Sequence, residues 1–114
     1  MENIILEELM KTLIEEYNCL VKIEAIEEEK NNLLVNGKLS DFSEINVELE
    51  KLIIENSKLE ERRIVITDRI LQFAKLPKET SLKELIPSIP DFARKKFEDI
   101  YDKFKSILAR IKFL

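Results

Sequence analysis

The chain has 114 residues, 45% hydrophobic and 37% charged, with one glycine, three prolines, one cysteine and neither histidine nor tryptophan. That length suits one domain and leaves little room for two, and dense charge beside many Ile, Leu, Glu and Lys excludes a disordered chain and points to long helices with charged outer faces. The net charge of -4 is uneven: -6 over residues 1–36, -3 over 41–74 and +4 over 75–114, so the segments attract one another within the chain.

The first predicted helix runs from about Glu2 to Asn36. Leu6, Leu9/Met10, Leu13, Tyr17 and Leu20 recur every three to four residues, the helix period, and Ile23, Ile26, Leu33 and Leu34 continue it. The stripe weakens over Glu27, Glu28, Glu29 and Lys30. Asn36-Gly37 ends the helix, with the chain's only glycine where a left-handed residue is needed. Lys38-Leu39-Ser40 connects to Asp41-Phe42-Ser43-Glu44, which has capping-box spacing, with Ser40 as an alternative cap.

The second helix is expected over about Phe42 to Ala74. Its seam is Phe42, Ile45, Leu49, Leu52, Asn56, Leu59, Arg63, Ile66, Ile70 and Phe73, an alternating spacing of three and four, as in coiled-coil packing. Asn56 and Arg63 are polar seam positions that set register or contact a partner, and Glu60 or a facing acid on the first helix is the expected mate of Arg63. Two helices of ~33–35 residues span ~50 Å at 1.5 Å per residue, and a short connection makes them antiparallel neighbours.

Leu76-Pro77 stops the second helix. Thr80 or Ser81 caps a short helical turn through Leu82, Leu85 and Ile86, and Pro87-Ser88-Ile89-Pro90 interrupts it. Pro90 suits the first turn of a third helix capped by Ser88 or Ile89 and running from about Asp91 to Leu114. Its apolar stripe is Ala93, Phe97, Ile100, Phe104, Ile107/Leu108, Ile111 and Leu114, and Asp91 with Lys95 and Asp99 with Lys103 have favourable i,i+4 spacing. The expected architecture is one all-α domain over 1–114: a long antiparallel helical hairpin, a connector over 75–90 and a third amphipathic helix packed on it, as a three-helix coiled-coil-like bundle.

Chemistry is hard to build from these residues. Without histidine there is no imidazole base, no His metal ligand and no Glu-x-x-His pair for a di-iron site. One cysteine, Cys19, makes neither an internal disulfide nor a thiolate zinc cage, and one glycine makes no phosphate-binding loop. Glu7/Glu8, Glu15/Glu16 and Glu27-Glu28-Glu29 read as solvated faces. We therefore expect no enzyme, no cofactor and no metal. Arg94, Lys95, Lys96, Lys103, Lys105, Arg110 and Lys112 are too sparse a stripe for nucleic acid. The N-terminus lacks a basic n-region and no apolar run approaches ~18–20 residues, so the expected location is the cytoplasm, without membrane insertion.

The order Leu33-Leu34-x-x-Gly37-x-x-x-Asp41-Phe42, then Leu49 and Leu52, then Leu59-Glu60-x-Arg62-Arg63 and the Leu76-Pro77 break before a last amphipathic helix, resembles the FlgN family of flagellar type III export chaperones. The resemblance implies a cytoplasmic helical chaperone that holds the C-terminal helical segments of hook–filament junction proteins before export, with the export apparatus as a second candidate partner. It places the grip on Phe97, Ile100, Tyr101, Phe104, Ile107, Leu108 and Ile111, and the same stripe continues to Leu114. One departure stands beside the resemblance: members of that family usually extend further, with Asn-rich and Leu-containing turns after the last helix, whereas the sequence here stops at Leu114. The alternative is a structural coiled-coil protein that forms a homodimer, or a generic helical interaction module.

Overall fold

A computed structural model describes residues 3–37 and 39–112. Among them are four α-helices, two 3-10 turns and no strand: α1 (Asn3–Val35), a turn over Leu39–Asp41, α2 (Phe42–Ala74), α3 (Leu82–Leu85), a turn over Ile86–Ser88, and α4 (Asp91–Lys112). The all-α expectation holds. The helix count is four rather than three, because the capped turn inside the connector closes into a short α-helix. Expected features at Glu2, Lys38 and Leu114 lie outside the described residues.

α1 and α2 have 33 residues each, and the molecule is 54 Å along its longest axis. Lys30 lies over the Phe42 ring, the Cys19 thiol donates to the Leu52 carbonyl, and Arg62 meets Glu15. Numbers fall on one helix as they rise on the other, so the two helices are antiparallel. α4 rests chiefly on α1, which makes α1 the helix that both others share.

Two apolar clusters follow one another along the axis. Far from the Gly37 turn, Leu6, Leu9 and Leu13 of α1 meet Ile66, Ile70 and Leu71 of α2, Leu85, Ile86 and Ile89 of the connector, and Phe97 and Ile100 of α4. Nearer that turn, Cys19, Leu20, Ile23 and Ile26 meet Ile45, Leu49, Leu59 and Ile107. Tyr17 and Phe104 touch both clusters, their rings tilted by 57° at 6.3 Å between centroids. The Cys19 thiol is buried, and that burial pushes its pKa up.

The α2 seam holds from Ile45 to Ile70 and then drifts. Phe73 is 58% exposed and Leu71 takes the core position instead. A straight helix has 3.6 residues per turn, so a strict alternating stripe rotates away from its partner when the helix does not supercoil to follow it. Leu34, near the end of the α1 stripe, is likewise exposed.

Local chemistry explains where the helices stop. Gly37 has φ +69°, and a Cβ there would meet nothing within 4 Å, so the backbone angle alone calls for glycine. Asp41 does not cap α2: its side chain makes no cap hydrogen bond, and the chain enters the helix through the preceding 3-10 turn. Ser81 does cap α3, its Oγ accepting from the Glu84 N–H at 3.2 Å and donating to Glu84 Oε1 at 3.0 Å. Pro90 is the flanking residue of α4 rather than its first helical one: its carbonyl accepts from Ala93 and Arg94 N–H, while Ile89 is extended. In α4 the charges pair as Asp91 with Arg94 and Lys95 with Asp99, in place of the expected Asp91–Lys95 and Asp99–Lys103.

The end of α2 was not anticipated in detail. Lys75 takes φ 59° and ψ 39°, and the Leu76 N–H donates to the Leu71 carbonyl at 2.9 Å. This is a Schellman motif with lysine where glycine is preferred. A left-handed L-residue costs roughly 1–2 kcal/mol. Lys75→Gly is therefore expected to stabilise the fold by about 1 kcal/mol, seen as a higher urea midpoint at unchanged slope.

Candidate partner-binding surface

The eight α4 residues expected to grip a partner divide into groups. Phe97, Ile100 and Ile107 are buried in the core against α1 and its neighbours. Tyr101, Phe104 and Ile111 are half-buried along the edge of that contact. Leu108 is 51% exposed, and Leu114 lies outside the described residues. The apolar face of α4 is thus wider than its contact with α1: one side seals the core while Tyr101, Phe104 and Leu108 face a cleft.

That cleft holds about 280 Å³. Leu13, Glu16 and Leu20 of α1 form its floor, Asn56, Glu60 and Arg63 of α2 one wall, and Tyr101, Phe104 and Leu108 of α4 the other, with Leu82 beside α4. A second cleft of about 380 Å³ lies on the opposite side of the α1–α4 contact, lined by Leu6, Met10, Ile14, Phe92 and Phe97 with Lys11 and Lys96 among its polar residues. Phe92, 68% exposed, was missed in the sequence, where it fell off the α4 stripe.

The polar groups of the first cleft are positioned by the seam. Glu16, read as part of a solvated acidic pair, is buried, and its Oε1 accepts from Arg63 Nε at 2.8 Å. A signal for this existed: Leu9, Leu13, Glu16, Leu20 and Ile23 are spaced by four, three, four and three, so Glu16 occupies a seam position. Arg63 fits the expectation of a facing acid on the first helix as its mate. Burial, the largest influence, raises the Glu16 carboxyl above its ordinary range; Arg63 pulls it back, and Glu60 adds to the rise. Asn56 Oδ1 is buried without a hydrogen-bond partner.

Charge and packing fix α4 at both ends of this region. Arg94 donates from Nη2 to the carbonyls of Ile89 at 3.0 Å and Pro87 at 3.3 Å, tying the connector to the start of α4. Arg110 Nε meets Glu24 Oε2 at 2.8 Å, and Lys103 lies over the Tyr17 ring at 5.8 Å. Among the described residues, no group of three or more Cys, Asp or Glu could hold a metal ion, and no helix is long and apolar enough to cross a membrane.

The sequence model of the FlgN protein family matches residues 1–114, the whole chain. No curated protein and no solved structure matches it.

The Glu16–Arg63 pair makes a testable demand of its own. Removing Arg63 leaves a buried carboxylate uncompensated, so Arg63→Met should cost about 3 kcal/mol at pH 7. Because the folded Glu16 pKa is raised, its protonated form favours the fold; that contribution is full below the ordinary carboxyl range and is lost as pH rises through the folded value. Without Arg63 the folded value moves higher still. The difference between Arg63→Met and wild type in urea unfolding should therefore shrink steadily as the pH is lowered into the acid range.

Proposed function

The chain belongs to the FlgN family, a family of flagellar export chaperones, and from that premise we propose that it binds the C-terminal helical segments of hook–filament junction proteins in the cytoplasm and keeps them from assembling before type III export. The observation that carries this reading is a family match over the full length, on a chain whose last helix presents Tyr101, Phe104 and Leu108 along a cleft. An export chaperone of this kind has to shield apolar helix from other chains until secretion, which needs an apolar groove or helix and no active site.

The grip falls on α4. Tyr101, Phe104, Leu108 and Ile111 supply the contact, and Phe97, Ile100 and Ile107 act from beneath by holding α4 on α1. Helix-in-groove recognition reads anchors at i, i+3, i+4 and i+7; Tyr101, Phe104 and Leu108 are at i, i+3 and i+7. As one domain with a hairpin scaffold and a working third long helix, the protein would act stoichiometrically, with the export apparatus as a later partner that takes over the complex.

A second reading is a homodimer through the outer face of α2, where Val47, Ile54, Ile64 and Val65 are each about half exposed. Light scattering separates the two: a homodimer gives twice the 13.5 kDa chain mass without any partner.

For the chaperone reading, the chain should co-purify one-to-one with a hook–filament junction protein and lose that partner when its C-terminal helix is deleted. Leu108→Asp, at an exposed position, should weaken the complex at least about tenfold, roughly the effect of removing one well-packed apolar anchor, while leaving the melting temperature of the free protein unchanged. Full binding by Leu108→Asp would place the contact elsewhere.

A further inference from the structure

The hairpin carries another groove, of about 520 Å³, on the flank that α4 leaves open: residues of α1 and α2 line it and none of α4. Lys11 of α1 and Lys58, Arg62 and Arg69 of α2 stand along its walls, against two acids, Glu8 and Glu61. That sign runs against the rest of the hairpin. Residues 1–36 and 41–74 together hold seventeen acids and eight bases, yet half of those bases and only two of those acids line this groove. Arg62 meets Glu15 at 3.3 Å, while Lys11, Lys58 and Arg69 make no ion pair among the described residues. Lys58 and Arg62 are also a like-charged i,i+4 pair, which weakens a helix unless an anion lies beside it. The groove is apolar at its base, with Ile66 buried and Val65 open next to it. Its two walls run on to exposed apolar residues. Ile66, Arg69 and Phe73 are at i, i+3 and i+7 on α2, and Ile4, Glu8 and Lys11 at i, i+4 and i+7 on α1, so Phe73 and Ile4, each more than half exposed, continue the same two faces.

We propose that this groove docks an acidic amphipathic helix of another protein, its apolar ridge on Val65 and Phe73 and its carboxylates on both edges, facing Lys11 on one wall and Lys58, Arg62 and Arg69 on the other. From Lys58 to Phe73 the α2 wall is ~22 Å long at 1.5 Å per residue, room for about four turns of such a helix. Charge complementarity selects an anionic occupant, since the cations here find no partner inside the chain. The two acids of the lining select which kind of anion. Nucleic acid or an anionic membrane surface carries negative charge throughout and would meet Glu8 and Glu61 as well as the cations. A helix sets its carboxylates singly and leaves those two points to lysine or to an uncharged residue. The apolar ridge supplies contact area, and the charges choose the partner and speed its approach. This groove is separate from the cleft beside α4, so the proposal stands apart from the chaperone reading and leaves that cleft free to hold a client at the same time.

The test uses the full chain and a fluorescein-labelled helical peptide of about 18 residues, a leucine ridge flanked on both sides by glutamates, with binding read by anisotropy. The wild-type chain is expected to bind it, less tightly as salt is raised, and to bind the same peptide with Gln for Glu at least about tenfold more weakly. Lys58→Glu with Arg69→Glu should weaken binding of the acidic peptide at least about tenfold. Neither side chain holds an ion pair, so the melting temperature of the free chain should not fall, and this variant should now prefer the peptide with Lys for Glu. Lys83→Glu with Lys105→Glu makes the same change in net charge at exposed positions outside the groove and should bind as wild type, as should Leu108→Asp in the cleft beside α4. Equal weakening by the two double variants reduces the effect to bulk charge and overturns the proposal, as does full binding by Lys58→Glu with Arg69→Glu or no binding by the wild-type chain. A free chain that is dimeric by light scattering and monomeric in that variant overturns it in favour of a second copy. Binding to phosphatidylglycerol vesicles in place of the peptide, lost in the same variant, overturns it in favour of a membrane surface.

Discussion

α1 has to bury two sides of itself at once, and everything else in the structure follows from how it does so. α2 covers one side over its whole length and α4 covers another, while α2 and α4 rest on α1 far more than on each other. A helix covered on a wide arc needs apolar residues beyond a narrow seam, and α1 has them: Leu6, Leu9, Leu13, Leu20, Ile23 and Ile26 are buried, with Thr12, Glu16 and Cys19 among them. The buried polar members are each satisfied locally. Thr12 Oγ1 donates to the Glu8 carbonyl at 2.9 Å, Cys19 donates to the Leu52 carbonyl, and Glu16 has Arg63. Because two helices share one floor without closing on each other, a cleft remains between them.

Periodicity made the long helices legible. The α2 limits Phe42–Ala74 were read from the turn before it and the Leu76-Pro77 break after it, and α1 is displaced by about one residue at its C-terminal end. Gly37 was legible because one glycine in a strongly helical chain has few other uses. The misses share a cause. Asp41 and Glu44 have capping-box spacing, but the short loop enters α2 already coiled as a 3-10 turn, so the Asp41 backbone never reaches the extended geometry that a side-chain cap needs. Lys75 has no sequence signal at all, since its left-handed angle is imposed by the Schellman bond of Leu76 and by Pro77 beyond it.

The surface was harder to read than the fold because a helical stripe says which residues are apolar and not how wide their cover is. The stripe Phe97, Ile100, Phe104 and Ile107 reads equally well as a core face or a grip. In three dimensions it is divided, with Phe97 and Ile107 sealed and Leu108 open. Glu16 shows the converse. Beside Glu15 it looks like half of a solvated acidic pair, yet neighbours on a helix point to different sides, and Glu15 stays near the surface with Arg62 while Glu16 turns inward.

The way α4 is held decides what kind of surface it can be. Its ion pair with Glu24 leaves Arg110 more than half exposed, where water and salt screen the attraction. The side chains of Phe97 and Ile107 are fully buried, and burial at that level contributes roughly 1.5–3 kcal/mol each. Packing therefore holds α4, and the two residues that do most of it bracket Tyr101 and Phe104. A partner that competed for α1 by lifting α4 away would have to replace both contacts before gaining any of its own. A partner that enters beside α4 replaces nothing: it covers Leu108, which is open, and Tyr101 and Phe104, which are half covered already. On that balance α4 is a fixed wall of the cleft and not a detachable arm.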